Sequence, residues 1–245
     1  MACGNLRQGR VDNRLLSRYT ALYEPFFRCF LRFRREWTDL VTWFQRVSAP
    51  EKDQSILLEI TGARTVKGEH GSRITVNPEA LLALQDAGLL QALSLDAEDS
   101  VSFRFPDAQI RTWLRDAGSV LELYAWQACR ETGIFQDIIS SAVVDWNGLK
   151  GHENVCNEID VMAVRGITPF FLSCKICDVR TEALNELSVL RDRFGGKGAK
   201  AAILTAEPCG AAARHRAAQL GIAVIDLEEL EKNQLLARIR TIMKA

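Results

Sequence analysis

The chain has 245 residues, 47 % of them apolar and 25 % charged, the composition of a soluble globular protein with room for one large domain or two smaller ones. Its 31 basic and 31 acidic residues cancel, which argues against a generally basic protein that coats nucleic acid, and no apolar run approaches the roughly 20 residues of a membrane span. The opening MACGNLRQGRVDNR has no apolar secretory stretch, and the seven cysteines are odd in number and scattered, so a cytoplasmic location is expected.

The neutral total hides an uneven distribution: residues 1–50 hold nine Arg, no Lys and four acids, whereas residues 51–130 hold eight basic and twelve acidic residues. Three pieces are read from this, 1–55, 56–117 and 118–245. In the first, Leu15, Leu16, Tyr19, Leu22, Tyr23, Phe26, Phe27 and Phe30 recur at helical spacing over Asn13 to Val47, with Pro25 as the expected point of a kink or division. So many aromatics on a helix predict packing against another helix or a second copy, hence a homodimer.

The second piece starts near Ile56. Asn77-Pro78-Glu79 reads as a helix start, with Asn as cap, Pro at the first helical position and Glu complementing the dipole, and Gly88 stops the helix. Leu89 to Leu95 and Val101 to Phe105 alternate with period two around a turn at Asp96 to Asp99, which predicts a hairpin. Helix followed by hairpin outlines a winged-helix-like unit. Its helix is Leu-rich and flanked by Glu79 and Asp86, so a structural or dimerising role is expected rather than entry into a DNA groove.

From Gly118 onward an α/β rhythm sets in. A helix over Ser119 to Thr132 leads to strands over Ile138 to Trp146, Glu158 to Val164 and Phe170 to Lys175, with turns at Asn147-Gly148 and Arg165-Gly166. A helix over Val179 to Phe194, a strand over Lys200 to Thr205, a helix over Ala211 to Leu220 and a strand over Ile222 to Asp226 follow. The order predicts an α/β fold, a mixed central sheet flanked by helices. Gly195 to Lys200 follows a helix and precedes a strand, the reverse of a phosphate-binding loop, and reads as a helix-ending turn. Cys174 and Cys177 form a lone CxxC without a second pair or nearby histidines. A strand residue and a loop residue are therefore expected there rather than a zinc site.

Chemistry concentrates in two strands. In Asn157-Glu158-Ile159-Asp160-Val161, period two sets Glu158 and Asp160 opposite Ile159 and Val161; in Phe170 to Lys175 it sets Phe171, Ser173 and Lys175 opposite Phe170, Leu172 and Cys174. Joined by a short hairpin, the two hydrophilic faces can meet, bringing a carboxylate beside a lysine. That pair suits metal-dependent phosphodiester cleavage, in which Mg²⁺ or Mn²⁺ neutralises the phosphate and activates water while the lysine stabilises charge. Glu122, in the preceding helix, is the natural third member. An exposed ion pair between Asp160 and Lys175 is the plain alternative on spacing alone.

The runs Leu121-Glu122-Leu123-Tyr124, Asn157 to Val161, Phe171 to Lys175, Glu182 to Leu187 and Arg193 to Lys197, in this order, resemble the PD-(D/E)XK nuclease superfamily. More narrowly, they resemble the endonuclease domain of CRISPR ancillary nucleases activated by cyclic oligoadenylate, over about residues 77 to 230. The resemblance implies a restriction-endonuclease-like fold, a DNA or RNA substrate, a place in antiviral defence, and catalytic roles for Asp160, Lys175 and Glu122. Ser173 stands where the superfamily has an acid, which removes one charged ligand. Some members of the superfamily have SXK and supply the carboxylate from the following helix, where Glu182 and Glu186 lie four residues apart on one face. The expected metal ligands are Asp160, Glu122 and Glu182, and Glu182 or Glu186 is expected to replace the carboxylate absent at Ser173. Family members carry an N-terminal Rossmann-like sensor of well over about a hundred residues, for which the first 55 residues here are too few and too helical, so control by cyclic oligoadenylate is not expected of this chain alone. A catalytically silent, nucleic-acid-binding or dimeric scaffold is the alternative function.

Overall fold

The computed structural model describes residues 6–7, 13–49, 58–68, 71–96, 99–145, 156–196 and 198–244. The expectations at Ile56, Asn147-Gly148 and Lys197 lie outside the described residues. The chain divides into two compact units, one of residues 21–120 and one of residues 1–20 with 121–245. The chain opens with β1 (Leu6–Arg7) and α1 (Asn13–Leu16), both in the second of these.

The 21–120 unit begins with α2 (Thr20–Arg32), a 3₁₀ turn (Arg34–Glu36) and α3 (Trp37–Val47). Pro25 does not divide the helix. It lies six positions into α2, where its missing N–H forfeits a single early backbone bond, and the break comes instead at Phe33 to Glu36. The aromatic stripe is buried within the unit: Phe26 and Phe30 meet Trp37 with ring centroids 5.7 and 5.3 Å apart, and Tyr23 meets Trp113 edge-on at 5.8 Å.

β2 (Glu59–Ala63), the hairpin β3 (Thr65–Lys67) and β4 (Arg73–Thr75), α4 (Pro78–Asp86), the hairpin β5 (Gln91–Leu95) and β6 (Ser100–Arg104), and α5 (Ala108–Leu114) follow. The helix-then-hairpin order matches the sequence reading. The cap also forms, with Asn77 Oδ1 accepting the Glu79 N–H at 2.9 Å and Gly88 taking φ +78° beyond the helix end. β6 lies between β2 and β5 in an antiparallel sheet. Trp43 and Phe44 of α3 pack on Phe103 of β6, at 5.8 and 5.7 Å between ring centroids. The line drawn at residue 55 from charge and pattern thus runs through one shared aromatic core. Charge reports the surface, whereas the buried rings decide the unit.

In the other unit, α6 (Ser119–Glu131) leads to β7 (Asp137–Asp145), β8 (Cys156–Arg165), β9 (Thr168–Lys175), α7 (Thr181–Leu190), β10 (Lys200–Thr205), α8 (Ala211–Gln219), β11 (Ala223–Ile225), α9 (Leu227–Glu231) and α10 (Leu235–Ile242). Among the described residues the sheet order is β1-β7-β8-β9-β10-β11. β7, β8 and β9 pair antiparallel and β9, β10 and β11 parallel, so the sheet is mixed, as the alternation of elements predicts. Phe171, Ile159 and Ile203 are buried with Leu184, Leu187 and Leu190 of α7. Phe170, Phe171 and Leu172 are each 0 % exposed, which corrects the period-two reading of β9: both faces are covered here, and the hydrophilic face begins only at Ser173. Helix α7 ends in a π-helical turn, Arg191–Gly195, and Gly196 takes φ +70°. A Cβ on Gly195 would come within 2.7 Å of the Phe171 ring and 2.3 Å of the Ala199 methyl, so this turn packs tightly against β9.

Candidate active site

The hairpin of β8 and β9 turns at Gly166, φ +61°, and its ladder runs from Arg165 opposite Thr168 to Val161 opposite Leu172. The next two residues in that register are Asp160 and Ser173. On the other side, β7 pairs Ser140 with Val161 and Ala142 with Ile159; between them Ser141, facing Asp160, takes φ +53°. Both ladders are thus interrupted at Asp160. A left-handed backbone at a buried, non-glycine residue is the kind of local strain that collects at functional sites.

The interruption frees backbone for the carboxylate. Asp160 Oδ2 accepts the Cys174 N–H at 2.5 Å and the Ser173 hydroxyl at 3.2 Å. Burial raises the Asp160 carboxyl above the ordinary aspartate range, and the Cys174 N–H, the Lys175 charge and the Ser173 hydroxyl each pull it partly back. Lys175 ends β9, in register with Thr205 of β10, and its carbonyl accepts the Ala206 N–H at 2.9 Å. Asp160 and Ser173 thus meet, and Lys175, two residues on, lies near enough for its charge to act on Asp160.

Ser173, Lys175, Glu158 and Glu186 line a small cleft of about 60 Å³, floored by Ile159, Leu187 and Leu190. Of the two helix glutamates, Glu186 reaches this cleft, whereas Glu182, exposed in the first turn of α7, is not among its lining residues. Four residues, about 6 Å along the axis, separate them. Glu186 Oε1 accepts a hydrogen bond from Asn157 Nδ2 on β8. Asn157 carries no role in the sequence reading. Its signal is the alternation itself, since it shares a face with Ile159, which packs on α7. Glu122 of α6 lies near enough that its charge, after burial and Asp160, helps raise the Cys174 thiol.

Among the described residues no three His, Cys, Asp or Glu side chains are grouped as a metal site, so the expected Asp160, Glu122 and Glu182 do not form such a group here. Those acids stand on β8, α6 and α7, and Glu182 is not among the residues that line the cleft. A smaller donor set remains. Asp160 has one oxygen taken by hydrogen bonds, and Glu186 lines the cleft beside Ser173 and Lys175. Carboxylate oxygens of this kind suit Mg²⁺ or Mn²⁺, which keep several waters and take further oxygens from phosphate; Glu158 lines the cleft as well, and Asp160 is not among its lining residues. Cys174 is buried in β9 and Cys177 exposed in the turn beyond it, as read for the lone CxxC.

The two units and the polar strand ends define a protein class by fold, a mixed α/β protein whose central sheet carries its polar cluster where antiparallel and parallel pairing meet at β9. Comparison with solved structures agrees. Protein VC1899 from Vibrio cholerae superposes with a TM-score of 0.66 at 20 % identity, over 98 % of this chain and 59 % of that one. Can2 from Sulfobacillus thermosulfidooxidans, solved in complex with cyclic tetra-adenylate, superposes with a TM-score of 0.58 at 16 % identity, over 91 % and 57 % of the two chains. The chain spans less than three fifths of the length of either. No protein-family model matches the chain, and no curated protein matches its sequence. The fold is restriction-endonuclease-like, a mixed sheet flanked by helices. Among the described residues no helix is long and apolar enough to cross a membrane.

Proposed function

We propose that this chain is a metal-dependent endonuclease that hydrolyses phosphodiester bonds of DNA or RNA. The observation that carries the reading is the hydrogen bond from Ser173 to Asp160 at the interrupted end of the β8–β9 ladder, with Ser173, Lys175 and Glu186 lining the adjoining cleft. The likeness to Can2, together with the motif order, supports it and suggests antiviral, CRISPR-associated defence as the setting. The same reading takes the chain as a cytoplasmic homodimer.

Asp160 and Glu186 would hold a Mg²⁺ or Mn²⁺ ion. When bound, such an ion neutralises the scissile phosphate and lowers the pKa of a water. The residues of the chain do the rest. Ser173 and the Cys174 N–H fix Oδ2 of Asp160 and leave Oδ1 to a ligand, while the Lys175 ammonium stabilises negative charge that develops on the phosphate oxygens. Glu122, whose charge acts on the neighbouring Cys174 thiol, is assigned a supporting role toward the attacking water.

The test is cleavage of labelled single-stranded DNA, duplex DNA and RNA by the full chain with Mn²⁺, alongside calorimetric Mn²⁺ titration. Cleavage is expected in the wild type, abolished in Asp160→Ala and Lys175→Ala, strongly reduced in Glu186→Ala and little changed in Glu182→Ala. A folded wild type that neither cuts nor binds Mn²⁺ overturns the proposal. The serine at 173 and the lack of a three-acid cluster among the described residues favour one other reading, a silent nucleic-acid-binding scaffold. It predicts metal-independent, salt-sensitive binding that survives Asp160→Asn.

A further inference from the structure

The hydrogen bond from Asn157 to Glu186 ties β8 to α7 at the one α7 carboxylate that lines the cleft. We infer that Asn157 is a positioning residue for the proposed metal site, a role that rests on the nuclease reading. Glu186 is exposed and carries three rotatable bonds, so an untethered carboxylate would give up rotamer freedom to take a ligand. The tether settles part of that before any ligand arrives. Asn157 donates to Oε1 and leaves Oε2 available.

The chemistry of the donor matters as much as its place. A lysine or arginine here would hold Glu186 as firmly but would cancel its charge and repel a cation. A carboxamide orients the carboxylate and leaves its negative charge intact. Strand geometry supplies the reach. Asn157 and Ile159 project to the same face, and Ile159 packs in the cluster formed with Leu184, Leu187 and Leu190, so α7 is held against β8 by an apolar contact next to the polar one. With Ser173 in place of an acid, the α7 carboxylate has to be presented from a helix rather than from the sheet. Asn157 is the sheet's means of holding it.

The experiment is calorimetric Mn²⁺ titration of the full chain, with cleavage measured in parallel. Asn157→Ala is expected to weaken Mn²⁺ binding by about tenfold or more, the usual consequence of losing a group that orients a ligand. The near-isosteric Asn157→Asp, which replaces the donor by a like charge, is expected to weaken it further. In a Glu186→Ala background neither change should alter the remaining affinity, because Asn157 acts through Glu186. Unchanged Mn²⁺ affinity in folded Asn157→Ala, or a further loss in the double variant, overturns the assignment while the nuclease reading stands. A wild type that binds no Mn²⁺ and cuts nothing overturns that reading instead.

Discussion

The backbone N–H of Cys174 donates to Asp160 Oδ2 at 2.5 Å, beyond the last paired residues of β8 and β9. A carboxylate has taken up a main-chain donor, and burial still outweighs that bond and the Lys175 charge, leaving the Asp160 carboxyl raised. For an acid whose folded pKa lies above its unfolded value, the folded state holds the proton longer. Its contribution to stability is therefore present at low pH and lost as pH rises through the folded pKa. Asp160→Asn keeps an acceptor for the Cys174 N–H and removes the buried charge. In EDTA it is expected to melt above the wild type at pH 8, with the difference shrinking as pH falls toward the ordinary carboxylate value of about 4. Melting curves of both proteins across that range check the sign.

The thiols divide by burial. Cys29 is pushed up to about 11, chiefly by burial, and Cys129 to about 12 by burial alone, so both stay protonated at pH 8. Cys177 is exposed. Brief treatment with iodoacetamide at pH 8, followed by peptide mapping, is expected to modify Cys177 and spare Cys29, Cys129 and Cys174. Denaturant should expose all four.

Much of this layout is readable in the sequence because local chemistry and tertiary packing agree there. Asn77-Pro78-Glu79 predicts a capped helix start and makes one; the stops at Gly88, Gly133 and Gly221 carry φ of +78°, +67° and +63°. The strand read over Lys200 to Thr205 forms with those bounds. Other features depend on what lies opposite and leave no local trace. Nothing in the sequence says that Phe171 is covered by α7 and Gly195, that Ser141 turns left-handed facing Asp160, or that Glu186 rather than Glu182 meets the cleft. The two glutamates share one helix face, and only the placement of the helix tells them apart.

Close packing at the end of α7 offers a stability test apart from the site. A methyl at Gly195 meets Phe171, fully buried in β9, and the Cβ of Ala199, a group with no rotamer to yield. Gly195→Ala is expected to cost about 1–3 kcal/mol, the range for overpacking, measured by urea unfolding. Gly210→Ala, where a Cβ meets nothing within 4 Å, should cost far less.

The aromatic core of the 21–120 unit is tested at Trp43. Its side chain is 0 % exposed, contacts the Phe44 and Phe103 rings, and donates from Nε1 to the Ala63 carbonyl at 3.0 Å. Trp43→Ala removes packing and orphans that carbonyl, for an expected loss of about 3–5 kcal/mol. Trp43→Phe keeps much of the ring and should recover most of it. Because this unit contributes none of the Asp160, Lys175 or Glu186 machinery, Trp43→Phe should leave Mn²⁺ affinity unchanged by calorimetry.

Ser173 is the position at which the chain departs from an acidic site, and Ser173→Glu asks what that departure costs. The serine is half-buried and gives its hydroxyl to Asp160. A glutamate there removes a donor and adds a like charge beside a carboxyl that burial already raises, so without metal both acids are driven further toward their neutral forms. In EDTA at pH 8 the variant is expected to lose about 1–3 kcal/mol, the range for a buried polar group stripped of its partner, and to recover as the pH falls and the carboxyls protonate. Divalent cation reverses the sign of the interaction. With one carboxylate more than Asp160, Glu158 and Glu186 supply, Mn²⁺ should bind about tenfold tighter than to the wild type, and its addition should raise the melting temperature more in the variant. Melting with and without Mn²⁺, together with calorimetric titration, reads both halves. Equal Mn²⁺ affinity in the two proteins would show that Ser173 does not border a cation site, and the carboxylates at Asp160 and Glu186 would then have to be read as structural.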